Sequence, residues 1–163
     1  MRLRTLKMYL NKNDLAKQLN KQPKDVVIGF TCSTFDLLHT GHLMMLQQAK
    51  EKCDYLICGL LVDPTADRKE SKNKPVQSVF ERYMQLSACK YVDEVIPFEH
   101  EEDICNMIKL IEPDIRIVGE EYKNTEHTGK GLCPIYYNHR RHNFSSSELR
   151  QRVAKAEAQK AQE

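Results

Sequence analysis

A chain of 163 residues with 25 Lys and Arg against 23 Asp and Glu, a formal net charge of +2, has room for one well-filled core and too little positive surplus to coat a nucleic acid. Six cysteines (Cys32, Cys53, Cys58, Cys89, Cys105 and Cys133) form no CxxC pair, which argues against a zinc site or disulfide frame and for a reduced, cytoplasmic protein. No apolar run approaches the ~20 residues that span a bilayer, and MRLRTLK at the start has no signal-type apolar segment behind it, so neither nucleic acid nor membrane is an expected partner.

In chain order, Asn13 is placed to cap a short helix carrying Leu15, Ala16 and Leu19 and ended by Pro23, an N-terminal extension over residues 1–25. VVIGF (26–30) is a continuous apolar run rich in β-branched residues, the pattern of a strand covered on both faces. After TFDLLHTGH (34–42), Leu43, Leu46, Ala49 and Cys53 recur at helical spacing. YLICGLLV (55–62) reads as a second buried strand, and polar, basic DPTADRKESKNKPVQ (63–77) as a long loop. Ser78 and Glu81 have the spacing of a capping box for a helix over 79–89. VDEVIPF (92–98) and IRIVG (115–119) predict the third and fourth strands, with a helix near 101–112 between them that ends before Pro113. A second long loop, 120–133, precedes PIYY (134–137), and SSSELRQRVAKAEAQKAQE closes the chain as a helix whose last residues, 154–163, are expected to fray.

Strands alternating with helices of this size predict an α/β fold: one Rossmann-like domain with a mostly parallel five-stranded sheet and helices on both faces, its core over 26–153. Ligands of such sheets bind beyond the carboxyl ends of the strands. The unusual segments 31–42, 63–77, 119–133 and 138–147 all follow strands, and structureless loops of that length are uncommon unless functional.

The chemistry-bearing residues lie in those loops. In His39-Thr-Gly-His42, Gly41 lets backbone approach a ligand, and the following helix start offers free N–H groups to an anion. Two imidazoles there can donate to a phosphate under attack, where positioning and charge stabilisation carry most of the catalysis. Lys72 and Lys74, just before Pro75, are flexible point charges able to fold over a polyphosphate, whereas Arg68 and Lys69 read as solvated charge. Ser145 and Glu148 match a capping box, leaving the Ser146 and Ser147 hydroxyls beside His139, Arg140, Arg141 and His142 as a second anion site. Arg82, at a helix start, is a candidate to grip a substrate phosphate. There is no P-loop sequence.

TCSTFDLLHTGH, FERYMQLSACKYVDEV, the VGEE turn and Arg140 with the SSS helix together resemble the nucleotidyltransferase superfamily with an HxGH motif, nearest to the glycerol-3-phosphate cytidylyltransferases, over residues 26–153. The resemblance implies that His39 and His42 stabilise the transition state at the α-phosphate, with Lys72 and Arg82 also catalytic. It implies nucleotide contacts from Thr31, Cys32, Ser33, Thr34, Phe35, Gly41, His42, Lys74, Gly119, Glu120, Arg140, Phe144, Ser145, Ser146 and Ser147. Acceptor contacts are implied for Asp36, Asp63, Lys72, Arg82 and Asp93. No residue is implied as a metal ligand; Mg²⁺ is expected to ride on the triphosphate, and a homodimer is implied. Some segments depart from the pattern. Cys32-Ser33 stands for Tyr-Gly, GEEY with Tyr122 for GDDW, and RRHNFSSS for RTEGISTT. The N-terminal helix and PFEHEEDICNMIKLIEPDI are similar to the heptose-phosphate adenylyltransferases.

The expectation is therefore an enzyme, a cytidylyltransferase moving CMP from CTP to a small phosphorylated polyol such as glycerol 3-phosphate, with release of pyrophosphate. Two alternatives stand beside it: an adenylyltransferase acting on a sugar phosphate, and a nucleotide-binding module without catalysis. An aminoacyl-tRNA synthetase fragment ranks last, because neither a KMSK-type loop nor a tRNA-binding extension is evident.

Overall fold

The computed structural model describes residues 12–140 and 142–161; the MRLRTLK start and Arg141 lie outside them. Five strands, β1 (Ile28–Ser33), β2 (Tyr55–Leu61), β3 (Glu94–Phe98), β4 (Ile115–Gly119) and β5 (Ile135–Asn138), form one sheet in the order β3-β2-β1-β4-β5. Every pairing is parallel. Among the described residues six α-helices accompany them: α1 (Lys12–Leu19), α2 (Thr40–Lys50), α3 (Thr65–Arg68), α4 (Val79–Ser87), α5 (Asp103–Ile111) and α6 (Ser146–Lys160). No helix among the described residues is long and apolar enough to cross a membrane.

Both faces of the sheet are covered, as the continuous apolar strands require. All seven residues of β2 are buried, and they alternate between two cores. Tyr55, Ile57 and Leu61 join Leu15 and Ala16 of α1 and Ile104, Met107, Ile108 and Ile111 of α5. Leu56, Cys58 and Leu60 join Leu46 and Ala49 of α2, Leu86 of α4 and Ile117 of β4.

The structure departs from the sequence expectations at α1, where Asn13 lies within the helix instead of capping it, at the end of β1 and in segment 63–77. β1 runs on to Ser33, because Thr31, Cys32 and Ser33 keep parallel register with Cys58, Gly59 and Leu60; their polar character hides the strand from an apolar-run criterion. Segment 63–77 is not all loop: α3 forms behind Asp63, whose Oδ1 accepts from Thr65 N (2.9 Å) and Thr65 Oγ1 (2.6 Å). The closing helix, expected from sequence, is α6 and runs through Lys160, in keeping with the helix propensity of Ala, Gln, Lys and Glu.

Candidate active site

Strand order reverses between β1 and β4, so the connections from their carboxyl ends leave in opposite directions and open a crevice there. A cavity of about 680 Å³ occupies it, walled by Thr31, Cys32 and Ser33 at the end of β1, by Ile117, Val118 and Gly119 of β4, and by the starts of α2 and α6.

The turn after β1 is held in an unusual backbone. Phe35 (φ 50°) and Leu37 (φ 51°) both lie in the left-handed region, which costs a non-glycine residue about 1–3 kcal/mol and persists only where surroundings enforce it. Here the enforcement is visible. Asp36, 4 % exposed, accepts from Val76 N (3.1 Å), Gln77 N (3.0 Å) and Arg150 of α6, and Leu37 N donates to Gln77 Oε1 (2.8 Å). Burial pushes the Asp36 carboxyl up, but the two backbone donors and Arg150 outweigh it and hold its pKa below the usual value. Arg150 also donates to Lys74 O (3.1 Å), so α6 ties the turn to the segment that carries the lysines. Because Arg150→Met strands a buried carboxylate with only its backbone donors, it is expected to destabilise the fold by about 1.5–3 kcal/mol. A thermal melt checks this; an unchanged midpoint would remove the latch from the account.

Arg82 is part of the same support rather than of the crevice. It is 2 % exposed, and its guanidinium donates to Gln77 O (3.2 Å), Thr34 O (2.9 Å), Leu61 O (2.8 Å) and Val62 O (2.6 Å). All its charge is directed at carbonyls of three segments, so it does not reach a substrate in this arrangement.

Above that turn, His39 is the N-cap of α2: its Nδ1 accepts from Gly41 N (3.1 Å). A neutral ring accepting at Nδ1 carries its proton on Nε2, and Nε2 lies 3.3 Å from Ser146 Oγ, which in turn donates to Asp36 O (3.0 Å). His39 and His42 are stacked with centroids 3.9 Å apart, and Phe35 meets His42 edge-on beneath them at 5.4 Å. Burial, then the positive field of His142, Arg140 and Arg152, lowers the His39 pKa. Burial and His39 together take His42 down to about 3. Both rings are therefore neutral N–H donors near pH 7.

That depression has a signed consequence for stability. Below pH ~6.5 an unfolded histidine takes up a proton, whereas His42 in the fold stays neutral until about pH 3. The unfolded state then binds more protons, so stability falls as the pH drops from ~6.5 towards ~3, and His42 contributes no slope above that window. Comparing denaturant midpoints at pH 7.5 and pH 5, His42→Asn is expected to reduce the loss by an amount on the order of 2 kcal/mol; an identical loss in the variant would contradict a buried neutral ring.

The start of α6 faces that of α2 across the crevice. Ser145 caps α6 by accepting from Glu148 N (3.1 Å), as its spacing predicts, and Arg140 Nη2 donates to Phe144 O (3.1 Å). Gly41 permits the two helix starts to meet, since a Cβ there would lie 2.8 Å from His142 Cε1 and 2.9 Å from the Phe144 carbonyl oxygen.

Of the residues singled out from sequence, Thr31, Cys32, Ser33, Thr34, His39, Gly41, His42, Lys72, Gly119, Arg140, Phe144, Ser145, Ser146 and Ser147 share the cavity wall. The other residues implied to contact nucleotide or acceptor stand elsewhere. Phe35 is core; Asp36 and Arg82 brace the turn from behind; Asp63 accepts from Thr65 at the start of α3; Lys74 contributes its carbonyl to Arg150. Glu120 accepts from His139 Nδ1 and Arg140 N, both at 2.8 Å, and so fastens two loops to each other. Asp93 accepts from Leu56 N (2.7 Å) and Lys50 at the amino ends of the strands, the edge opposite the crevice. Arg68, expected to be solvated, lines the cavity and pairs with Glu101 at 2.5 Å. Sequence reasoning passed over Arg116, His127 and Asn138, which also line it; a lone arginine inside the apolar run IRIVG was the available signal for the first.

A family model described as cytidylyltransferase-like matches residues 30–152. A bifunctional protein HldE from a Nitratiruptor species is 37 % identical over 119 residues, covering 73 % of this chain and 25 % of that protein. HldE from Campylobacter jejuni is 35 % identical over 126 residues, covering 77 % and 27 %. The chain thus spans about a quarter of the length of these curated relatives. Among solved structures, a lipopolysaccharide core biosynthesis protein from Thermoplasma volcanium superimposes with a TM-score of 0.52 at 24 % identity, covering 80 % of this chain and 88 % of the other. Pantothenate synthetase from Thermus thermophilus does so at 0.55 and 12 % identity, covering 83 % and 65 %. At these identities the two structures speak for the fold alone.

Proposed function

This chain belongs to the cytidylyltransferase-like family, and we propose that it transfers a nucleotidyl group from a nucleoside triphosphate to a phosphorylated sugar, with ATP as the donor. The observation that carries nucleotidyl transfer is the meeting of His39 Nε2 and Ser146 Oγ at 3.3 Å, which places two helix starts and two neutral imidazoles around one space. The acceptor's phosphate oxygen attacks the α-phosphorus in line; the new P–O bond forms as the bond to the β-phosphate oxygen breaks, and pyrophosphate leaves with the electron pair. His39 and His42 donate to the α-phosphate oxygens as negative charge builds. Ser145, Ser146, Ser147 and the free N–H groups of α6 take the departing phosphates, with Arg140 and Lys72 adding charge. Mg²⁺, if bound, would be carried by the triphosphate itself and would supply charge neutralisation to its phosphates, beside Arg140, Lys72 and the serines of α6.

The choice of ATP over CTP reverses the first expectation from sequence. Supporting it, the curated relatives described above are HldE proteins, and residues 97–115, which include α5, resemble the heptose-phosphate adenylyltransferases. Pyrophosphate release with ATP and with CTP, each beside a sugar 1-phosphate, tests the reading. ATP is expected to exceed CTP by about tenfold or more in kcat/KM. A preference for CTP would restore CMP transfer, and nucleotide binding without pyrophosphate from either would leave a non-catalytic module. The homodimer belongs to the proposal too; exposed Val76, Phe80 and Met84 offer apolar surface for it, and light scattering reads the mass.

A further inference from the structure

Arg116 is a buried charge that the catalytic scheme does not use. It stands in the middle of β4, 5 % exposed, and lines the cavity. Its neighbour Ile117 packs with α2 and α4, so Arg116 faces the other side of the sheet, towards α5. There the loop after β4 closes on it. Its Nη1 donates to Thr128 O at 2.5 Å, and Gly129 (φ +79°) lies so near that a Cβ would stand 2.7 Å from Nη1 and 2.8 Å from Ile108 Cδ1.

What the guanidinium lacks is a counter-charge. Among the described residues no carboxylate lies within ion-pair distance of it, and Glu101, across the cavity wall, is paired with Arg68. The Cys32 thiol beside it is pushed up by burial, more than Arg116 pulls it down, so it stays a neutral partner. Arg116 Nε is buried with no hydrogen-bond partner, and both ring nitrogens of His127, on the same loop and the same cavity wall, are in the same state. A buried cation without a counter-charge, with one of its N–H groups unbonded, is unfavourable; an anion entering the cavity would relieve it. His39 and His42 open α2, which packs on the opposite face of the sheet, so that anion is not the phosphate under attack.

We propose that Arg116 anchors a second anionic group of the acceptor, a carboxylate or a phosphate carried apart from the phosphate that attacks the donor. The acceptor class is then a phosphorylated sugar acid or a bisphosphate rather than a neutral phosphorylated polyol. The acceptor's part in this rests on the nucleotidyl-transfer reading; the anion site itself does not.

Calorimetric titration of the full chain, saturated with a non-hydrolysable ATP analogue, tests it with two matched pairs. 3-Phosphoglycerate against glycerol 3-phosphate probes a carboxylate, and glucose 1,6-bisphosphate against glucose 1-phosphate probes a phosphate. In at least one pair the doubly anionic member is expected to bind about tenfold or more tightly to the wild type. Arg116→Met should abolish that preference and Arg116→Lys retain part of it. Without nucleotide, malonate should raise the melting temperature of the wild type and not of Arg116→Met, which itself should melt no lower than the wild type because it removes an unpaired buried charge. Equal affinities within both pairs, or a preference that survives Arg116→Met, would overturn the proposal. A chain that ignores the ATP analogue but responds to malonate through Arg116 would sink nucleotidyl transfer and leave the anion site standing.

Discussion

His39→Ala is expected to lower turnover by about 10²–10³-fold, the size of effect seen when one preorganised donor to a developing oxyanion is removed. The position carries two functions that one substitution mixes. Nδ1 caps α2 through Gly41 N, while the Nε2 proton points at Ser146 Oγ, the direction from which the phosphate is proposed to arrive. Loss of an N-cap alone costs about 1 kcal/mol, or a melting shift of roughly 2–4 °C in a chain of this size. His39→Asn separates the two, since its side-chain oxygen can still accept from Gly41 N. The asparagine variant should therefore melt near the wild type and still lose the full catalytic factor in pyrophosphate release. Wild-type turnover in His39→Asn would mean that the imidazole only caps the helix.

Gly41→Ala should split stability from activity in the same direction, for a steric reason. In a helix, alanine is favoured over glycine by about 1 kcal/mol, so little loss of stability is expected from propensity alone. The added methyl, however, would stand 2.9 Å from the Phe144 carbonyl oxygen, 2.8 Å from His142 Cε1 and 3.0 Å from His39 Cε1. The Phe144 atom is backbone and cannot rotate away. Relief requires the start of α6 to withdraw from the start of α2, which widens the space shared by His39 and Ser146. A displacement near 1 Å at a reacting centre can cost on the order of 10²-fold in rate. A melt within a few degrees of the wild type, joined to a hundredfold fall in turnover, is the expected pair of results. Unchanged turnover would show that the two helix starts need not touch for chemistry.

Much of the fold was legible because each element carried its own signal. The buried strands are unbroken apolar runs, and Ser78 with Glu81 forms the capping box that opens α4. The site was harder. Residues 39 and 146 are brought together only by the sheet order, which no local pattern encodes; family resemblance supplied what spacing could not. Arg82 misled because a charge at a helix start is ordinarily exposed. Its place in the stripe with Leu86, four residues on and fully buried, was the sign that it points inward. Asp93 looked equivalent to a crevice acid, yet it precedes β3 rather than following it, and so sits at the wrong end of the sheet. Arg116 was passed over for the opposite reason: apolar neighbours made β4 look like plain core.

The most direct measurement is a crystal structure of the full chain with a non-hydrolysable ATP analogue. The α-phosphate oxygens are expected within hydrogen-bond reach of the His39 and His42 imidazoles, and the β- and γ-phosphates against the Ser145–Ser147 start of α6. A nucleotide bound elsewhere, with the two histidines and the serines untouched by phosphate, would contradict it.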